Sequence, residues 1–299
     1  MKAWGFKEFG NTPFYCFDVP EPKLEEGKVI VKTISAGVNP TDWNTKIGIY
    51  PYDIFPFMSG WELCGEVIAE KGTQHNVGDI VYGLINFPEM AGCYAEKVSV
   101  NGVDVVPIPN NIPAKKAGAL PLVGLSVIQA FDKISAARGK SILITGASGG
   151  VGHMAVQHAK NYGLHVIAVA SSKNEDFVRG LGAGDFIAYD KEEIKLSGDV
   201  DILFDIYKEA FPFEAVKNGG QILTLQERKQ QEFKNINYVY HVVNRNADDL
   251  LRLTKLIEVR KIIPHISSTF PFSEVEQAIR QVSHAHAKGK IIVDFNLQP

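Results

Sequence analysis

One stretch of this chain has residue types and spacing suited to holding a pyrophosphate: Thr145-Gly146-Ala147-Ser148-Gly149-Gly150-Val151-Gly152. It follows the continuous apolar run 141–145 and opens a helical segment, 150–162, that closes at Gly163. Glycines at such a turn let the backbone approach a ligand, and the free N–H groups at the start of a helix favour its negative charge. A tight strand-to-helix connection would need similar glycines for geometry alone. Here, however, strand, turn, helix and a second apolar strand at 165–170 fall in register, the arrangement of a dinucleotide site. Ala147, Ser148, Gly149, Gly150, Val151 and Gly152 are the expected contacts.

The end of the second strand bears on which dinucleotide is bound. An acidic residue there would accept hydrogen bonds from the ribose hydroxyls of NAD. The chain instead reads Val169-Ala170-Ser171-Ser172-Lys173. A hydroxyl and an ammonium both donate to a 2′-phosphate, which a carboxylate would repel, so Ser171 and Lys173 point to NADPH. Ser172 with Glu175 also reads as a capping box for the next helix. The two readings are compatible, because the cap leaves Ser171 and Lys173 free. Glu175 and Asp176 weaken the local positive field.

The elements that must position these residues form two textures. The first third has short β-branched runs such as 28–34, broken every dozen or so residues by Gly, Pro and Asn. That pattern suits a small barrel or partly open β domain. After Pro113 comes a helical stretch at 117–130, and then strands and helices alternate. Strands are expected at 141–145, 165–170, 186–189, 202–206 and 221–225, with a helix including 177–181. Continuously apolar strands between helices mean a parallel sheet covered on both faces. The charged segment 226–234 reads as an exposed loop. In the tail, 238–243 and 290–295 read as strands, and 247–259 and 272–282 as helices. The run Tyr238-Val239-Tyr240-His241-Val242-Val243 is expected at the sheet edge, where pairing with a second copy would build a homodimer.

Composition excludes several classes. A formal net charge of −3 offers no basic footprint for nucleic acid. Cys16, Cys64 and Cys93 are odd in number and widely spaced, against a disulfide framework or a structural zinc. The first eight residues carry charges where a signal peptide needs an apolar core. No apolar run approaches the roughly 18 residues of a membrane span. A soluble, cytoplasmic protein is expected.

Six motifs then carry a resemblance along nearly the whole chain: Ala36-Gly37-Val38-Asn39-Pro40-Thr41-Asp42-Trp43 with Gly48-Ile49-Tyr50; Gly60-Trp61-Glu62-Leu63-Cys64-Gly65-Glu66-Val67; Val77-Gly78-Asp79-Ile80-Val81-Tyr82-Gly83; Ala119-Leu120-Pro121 with Gly124-Leu125-Ser126; Gly149-Gly150-Val151-Gly152; and Ala287-Lys288-Gly289-Lys290-Ile291-Ile292-Val293. In this order they resemble the zinc-free medium-chain dehydrogenases/reductases, and most closely the quinone oxidoreductases. The resemblance implies an α/β protein with a β-rich partner: a GroES-like substrate domain over 1–115 to which 247–299 returns, and a doubly wound Rossmann domain over 116–246. Zinc members carry a Cys and a His where Asn39 and Trp61 stand, so two ligands of a catalytic metal are missing. His153 and His158, and His284 and His286, make no zinc motif.

The resemblance also assigns roles. It implies that Tyr50 is a proton donor at the substrate, the alternative being a tyrosine that packs at a domain junction. Asn39 and Asp42 fix the substrate-side turn, or serve only its own backbone. Ser126 stands near the nicotinamide ribose and Tyr189 near the adenosine phosphate, unless Tyr189 is a core residue. One departure is plain: a glycine pair usually follows the strand at 202–206, and here the chain reads Tyr207-Lys208-Glu209-Ala210. The leading expectation is NADPH-dependent, zinc-independent reduction of a quinone. The alternatives are reduction of an enone, alkenal or enoyl-thioester double bond, and non-catalytic NADPH binding.

Overall fold

The computed structural model describes residues 1–207, 211–228, 235–283 and 288–298. The chain divides into two units: 1–125, 244–258 and 266–299 form the first, 126–243 and 259–265 the second. The first unit begins with β1 (Lys2–Phe6), β2 (Tyr15–Asp18), β3 (Lys28–Val38), α1 (Pro40–Lys46) and β4 (Phe57–Met58). It continues through β5 (Glu62–Lys71), β6 (Ile80–Leu84), β7 (Lys97–Asn101), β8 (Val105–Pro107) and α2 (Ala114–Ala117). Its core is largely β-branched, with Val29, Val31, Val67, Val81, Val98, Val100 and Val105 packed on Leu63 and Ile85, as half-buried pleated strands favour. The helical stretch expected at 117–130 is split, because α3 (Pro121–Phe131) starts afresh after Gly118. Gly118 lies so close to β3 that a Cβ there would sit 2.3 Å from the Ser35 carbonyl oxygen.

The second unit holds β9 (Ser141–Thr145), α4 (Gly152–Asn161), β10 (His165–Ala170), α5 (Glu175–Leu181), β11 (Asp185–Ala188), β12 (Val200–Asp205), β13 (Val216–Thr224) and β14 (Asn237–Tyr240). These strands form one sheet in the order β11-β10-β9-β12-β13-β14, with every neighbouring pair parallel. This is the doubly wound order of dinucleotide-binding folds, and it reverses direction between β9 and β12. Apolar β9 is fully buried over 142–145. Helix α4 starts at Gly152, two residues later than the sequence suggests, and Gly163 with φ +74° follows its end. Strand β14 is the edge of the sheet and stops at Tyr240, short of the expected 243.

The expected alternation of strand and helix fails in the later half. Among the described residues, the connections from β11 to β12, β12 to β13 and β13 to β14 contain no α-helix. Loop side chains cover the sheet there instead: Ile194, Leu196, Phe211, Phe213 and Ile236 pack on a core that includes Leu203, Val216 and Ile222. The segment 226–234 is not simply an exposed loop, since the Arg228 side chain is only 16% exposed. Residues 229–234 lie outside the described residues.

The chain then returns through α6 (Ala247–Glu258), β15 (Ile266–Pro271), α7 (Val275–Ser283) and β16 (Lys290–Asp294) to a sheet ordered β15-β16-β3-β5-β6-β8, with β7 also on β3. The domain boundaries differ from those expected. The division falls inside α3, and 259–265 joins the second unit. The physical reason lies on α4. The Gln157 amide bonds both to the Ile263 carbonyl (3.1 Å) and to its N–H (2.8 Å), Asn161 Nδ2 donates to the Lys261 carbonyl (2.8 Å), and the His265 amide donates to His153 Nε2 (3.1 Å). His153 therefore has a structural partner. His284 and His286 lie outside the described residues.

Candidate active site

In the second unit the glycine-rich turn sits beside the point where strand order reverses, the place where open parallel sheets bind ligands. Gly146 adopts φ +65°, and a Cβ on Gly152 would lie 2.1 Å from the Gly146 carbonyl oxygen, so both positions require glycine. The Ala147 amide is tied to the Val169 carbonyl on β10 at 3.0 Å. Ala147 is buried, whereas Ser148, Gly149, Gly150 and Val151 are half-buried on the turn's outer side. No side chain caps α4; the His153, Met154 and Ala155 amides donate to the Gly149 and Val151 carbonyls, so an anion would meet the amides just before them, at 150–152. A backbone cradle that a Cβ would fill, with uncapped amides behind it, fits a pyrophosphate.

Asn174 is a clamp that sequence reasoning missed. It is buried, and its Nδ2 donates to Ser148 Oγ (3.0 Å) and Ser171 Oγ (3.2 Å), joining the turn to the end of β10. The capping box expected at Ser172 does not form. The Ser172 amide and hydroxyl both donate to Asp190, at 2.7 and 2.8 Å, and α5 has Asn174 as its N-cap. These bonds hold the exposed Asp190 carboxyl below its usual range. A carboxylate therefore does stand beside the strand end, delivered from the adjacent strand β11. Lys173 is exposed and makes no ion pair among the described residues. Tyr189, just past β11, stacks on Tyr207 and is 36% exposed, so it is no core residue. Ser126 is buried on α3. Lys208, Glu209 and Ala210 of the departing loop lie outside the described residues.

In the first unit a buried polar cluster occupies the turn between β3 and α1. Lys290 Nζ donates to the Val38 carbonyl (3.0 Å), to Asn39 Oδ1 and to Glu62 Oε1 (3.0 Å). Glu62 also accepts Asn39 Nδ2 (2.7 Å) and the Leu122 amide (2.8 Å). Asp42 accepts the Asn39 amide at 2.8 Å and faces the Tyr94 hydroxyl at 2.9 Å. Asn39 and Asp42 are thus engaged with the protein and almost wholly buried. Among the described residues, no group of three or more His, Cys, Asp and Glu is arranged to hold a metal ion. Burial pushes the thiols of Cys64 and Cys93 up, away from nucleophilic chemistry. Tyr50 stands apart from the cluster, 46% exposed, in a loop with the exposed Ile49, Ile54 and Phe55. Phe55 anchors that loop against Phe9, ring centroids 5.0 Å apart. The sequence motifs contained Glu62 and Lys290 but did not reveal their pairing.

Two family profiles match the chain, the alcohol dehydrogenase GroES-like domain over 25–110 and the zinc-binding dehydrogenase over 181–293. Its relatives include a 2-methylene-furan-3-one reductase of Solanum lycopersicum, 29% identical over 98% of this chain and 79% of the relative. An NADPH-dependent alkenal/one oxidoreductase of Arabidopsis thaliana matches with the same identity and coverage. Among solved structures, a quinone oxidoreductase of Coxiella burnetii superposes with a TM-score of 0.90 at 28% identity, covering 99% of both chains.

Asp42 generates a prediction. Burial pushes its carboxyl up to about 7, against the opposing pull of the Asn39 amide, Tyr94 and Lys290, while Glu62 and burial act in the same direction. A carboxyl raised above its unfolded value stabilises the fold fully below the unfolded pKa, and that contribution is lost as pH rises through the folded pKa. The shift is worth on the order of a few kcal/mol. Thermal midpoints of the wild type should therefore fall between pH 4 and 8 relative to Asp42→Asn, which keeps the shape and cannot ionise. Parallel pH profiles for the two proteins would show that Asp42 does not titrate in this window.

Proposed function

The chain belongs to the medium-chain dehydrogenase/reductase superfamily, and on that premise we propose that it is an NADPH-dependent, zinc-independent oxidoreductase acting on a quinone or similar conjugated carbonyl. The observation that carries this reading is the state of Glu62. Asn39 and Trp61 stand where the zinc branch keeps two of its ligands, and Glu62 is neutralised by Lys290 rather than left to a metal. A carbonyl in this protein has no Lewis acid from these residues, so the acceptor must delocalise its own charge. When bound, NADPH supplies the hydride. The turn at 148–152 holds the pyrophosphate, and Ser171 and Lys173 recognise the 2′-phosphate. Tyr50, an exposed hydroxyl in a loop with Ile49, Ile54 and Phe55, gives a proton to the reduced acceptor in this reading, and Asn39 and Asp42 hold the helix that precedes it. Reduction of an alkenal or enone is the second reading, favoured by the two plant relatives.

Cofactor choice follows from charge. Lys173→Ala should weaken NADPH by roughly 10- to 100-fold, the loss of one charge-assisted contact, with NADH little changed. Asp190→Asn should strengthen NADPH relative to NADH, because the Asp190 carboxylate repels the 2′-phosphate. Titration calorimetry reads both, and equal changes for the two cofactors would remove the assignment.

The acceptor follows from Tyr50. A panel of quinones, alkenals and enoyl thioesters assayed with NADPH, with and without a chelator, tests the class directly. A hydroquinone anion can be protonated by water, so Tyr50→Phe should lower kcat with quinones less than about tenfold, whereas an acid needed for an enolate contributes roughly 10²–10⁴-fold. A loss in that range, with an alkenal or thioester as the better substrate, selects the second reading. Inhibition by the chelator would overturn zinc independence.

Among the described residues β14 is the last strand of its sheet, with Tyr240 45% exposed, which supports a homodimer paired along it. Light scattering should give twice the chain mass at micromolar concentration, and a monomer mass would refute the pairing. Three free thiols suit a reducing compartment such as the cytosol, and among the described residues no helix is long and apolar enough to cross a membrane. The ligands in this reading are small molecules; neither nucleic acid nor a membrane surface has a part in it.

A further inference from the structure

Strands β11 and β12 are not neighbours, since β10 and β9 lie between them. Their C-terminal ends therefore stand three strand spacings apart, about 14 Å. Tyr189 directly follows β11, and Tyr207 lies two residues beyond β12. Yet their rings stack, with centroids 5.6 Å apart and planes inclined by 22°. The two side chains can meet only by leaning toward each other across the ends of β10 and β9. The backbone is built for this. Thr145 Oγ1, at the end of β9, accepts the amides of Ile206 and Tyr207 at 2.9 and 3.1 Å and draws the chain leaving β12 over β9. Tyr207 comes so near Gly146 that a Cβ there would lie 3.3 Å from its own Cβ. Arg228 Nη2 and Gln226 Nε2 hold the carbonyls of Tyr207 and Ile206 at 3.0 and 3.2 Å.

We propose that Tyr207, with Tyr189 as its partner, forms an aromatic bar across the dinucleotide crevice. The stack parts to admit the nucleotide, and the Tyr207 ring then packs on the bound molecule and retains it. This rests on the NADPH reading above. The glycine pair that the superfamily resemblance leads one to expect after β12 has no side chain and could not do this, so the departure at Tyr207 supplies a binding side chain where none is expected.

Stopped-flow mixing of the full-length protein with NADPH, followed by the fluorescence of the nicotinamide, tests the proposal. Tyr207→Gly should raise both the association and the dissociation rates, by roughly three- to tenfold for the loss of one aromatic pair. Tyr207→Phe should keep both near the wild type. Tyr189→Leu breaks the stack from the other side, and it decides the matter if circular dichroism shows that Tyr207→Gly is misfolded. A loosened fold would raise dissociation alone, so unchanged association with faster dissociation overturns the bar, as do rates unchanged in both variants. If the wild type binds no NADPH, the functional reading falls and this one with it. Normal binding with unaltered rates overturns this one alone.

Discussion

The polar interior of the first unit depends on the ion pair between Glu62 and Lys290. Both side chains are almost wholly withdrawn from water, and desolvating two such charges costs several kcal/mol each. The pair is tolerated because its hydrogen-bonding capacity is met. The ammonium donates to Val38, Asn39 and Glu62, while the carboxylate accepts from Lys290, Asn39 and Leu122. Removing either partner would leave the other uncompensated, at a cost of about 3–5 kcal/mol. The pair also dictates its surroundings. Gly37 has no room for a Cβ, which would lie 2.1 Å from Glu62 Oε1. Because the two charges cancel, Asp42 finds no net cation to hold its carboxylate ionised. The Tyr94 hydroxyl, with one proton, faces both Asp42 and the Gly37 carbonyl. A proton on Asp42 lets both contacts be hydrogen bonds at once.

In the second unit the corresponding brace is Asp205, fully buried at the end of β12. Arg228 binds it through two nitrogens, both at 2.9 Å, and Thr224 donates at 2.7 Å. Those partners come from β13 and the residues just after it, and Thr145 adds a longer contact of 3.4 Å from β9. One carboxylate thus ties together three adjacent strand ends where the sheet reverses its order. Such a fork of charge-assisted bonds is geometrically specific, and it leaves the glycine-rich turn and the start of the loop after β12 preformed rather than shaped by a ligand. On the β12–β13 connection, which has no α-helix among the described residues, Phe211 and Phe213 cover the sheet instead.

How much of this could be read beforehand divides along one physical line. The glycine-rich turn, its strand and its helix are encoded locally, by apolar period and by residues that alone accept the required backbone, and they stand in the structure in the expected order, with the helix starting two residues late. Features set by register between distant segments were not readable. Ser172 and Glu175 have the spacing of a capping box, yet β10 and β11 are parallel neighbours, which sets Asp190 beside Ser172 and takes its hydroxyl. Asn39 and Asp42 have turn chemistry on their face, and that Asn39 is also held by Lys290, 251 residues away, could not be read from it. That the connections after β11 hold no α-helix among the described residues was not legible, because a short apolar run reads alike before a helix or a loop. Tyr207 was visible as a departure, but its stacking partner follows from strand order alone.

These constraints bear on the chemistry together. The buried cluster carries one ion pair closed on itself and one acid that burial pushes up to about 7, and so offers no strong positive field to an alkoxide. In the loop after α1, Tyr50 is an exposed group that can move a proton, in a segment that also exposes Ile49, Asp53, Ile54 and Phe55. A protein arranged this way does little to make a poor acceptor better. Its residues can hold a dinucleotide firmly, keep an apolar surface for the acceptor and supply at most one proton. That division of labour favours acceptors whose reduced form is already stable, the property that sets quinones and conjugated carbonyls apart from simple ketones and aldehydes.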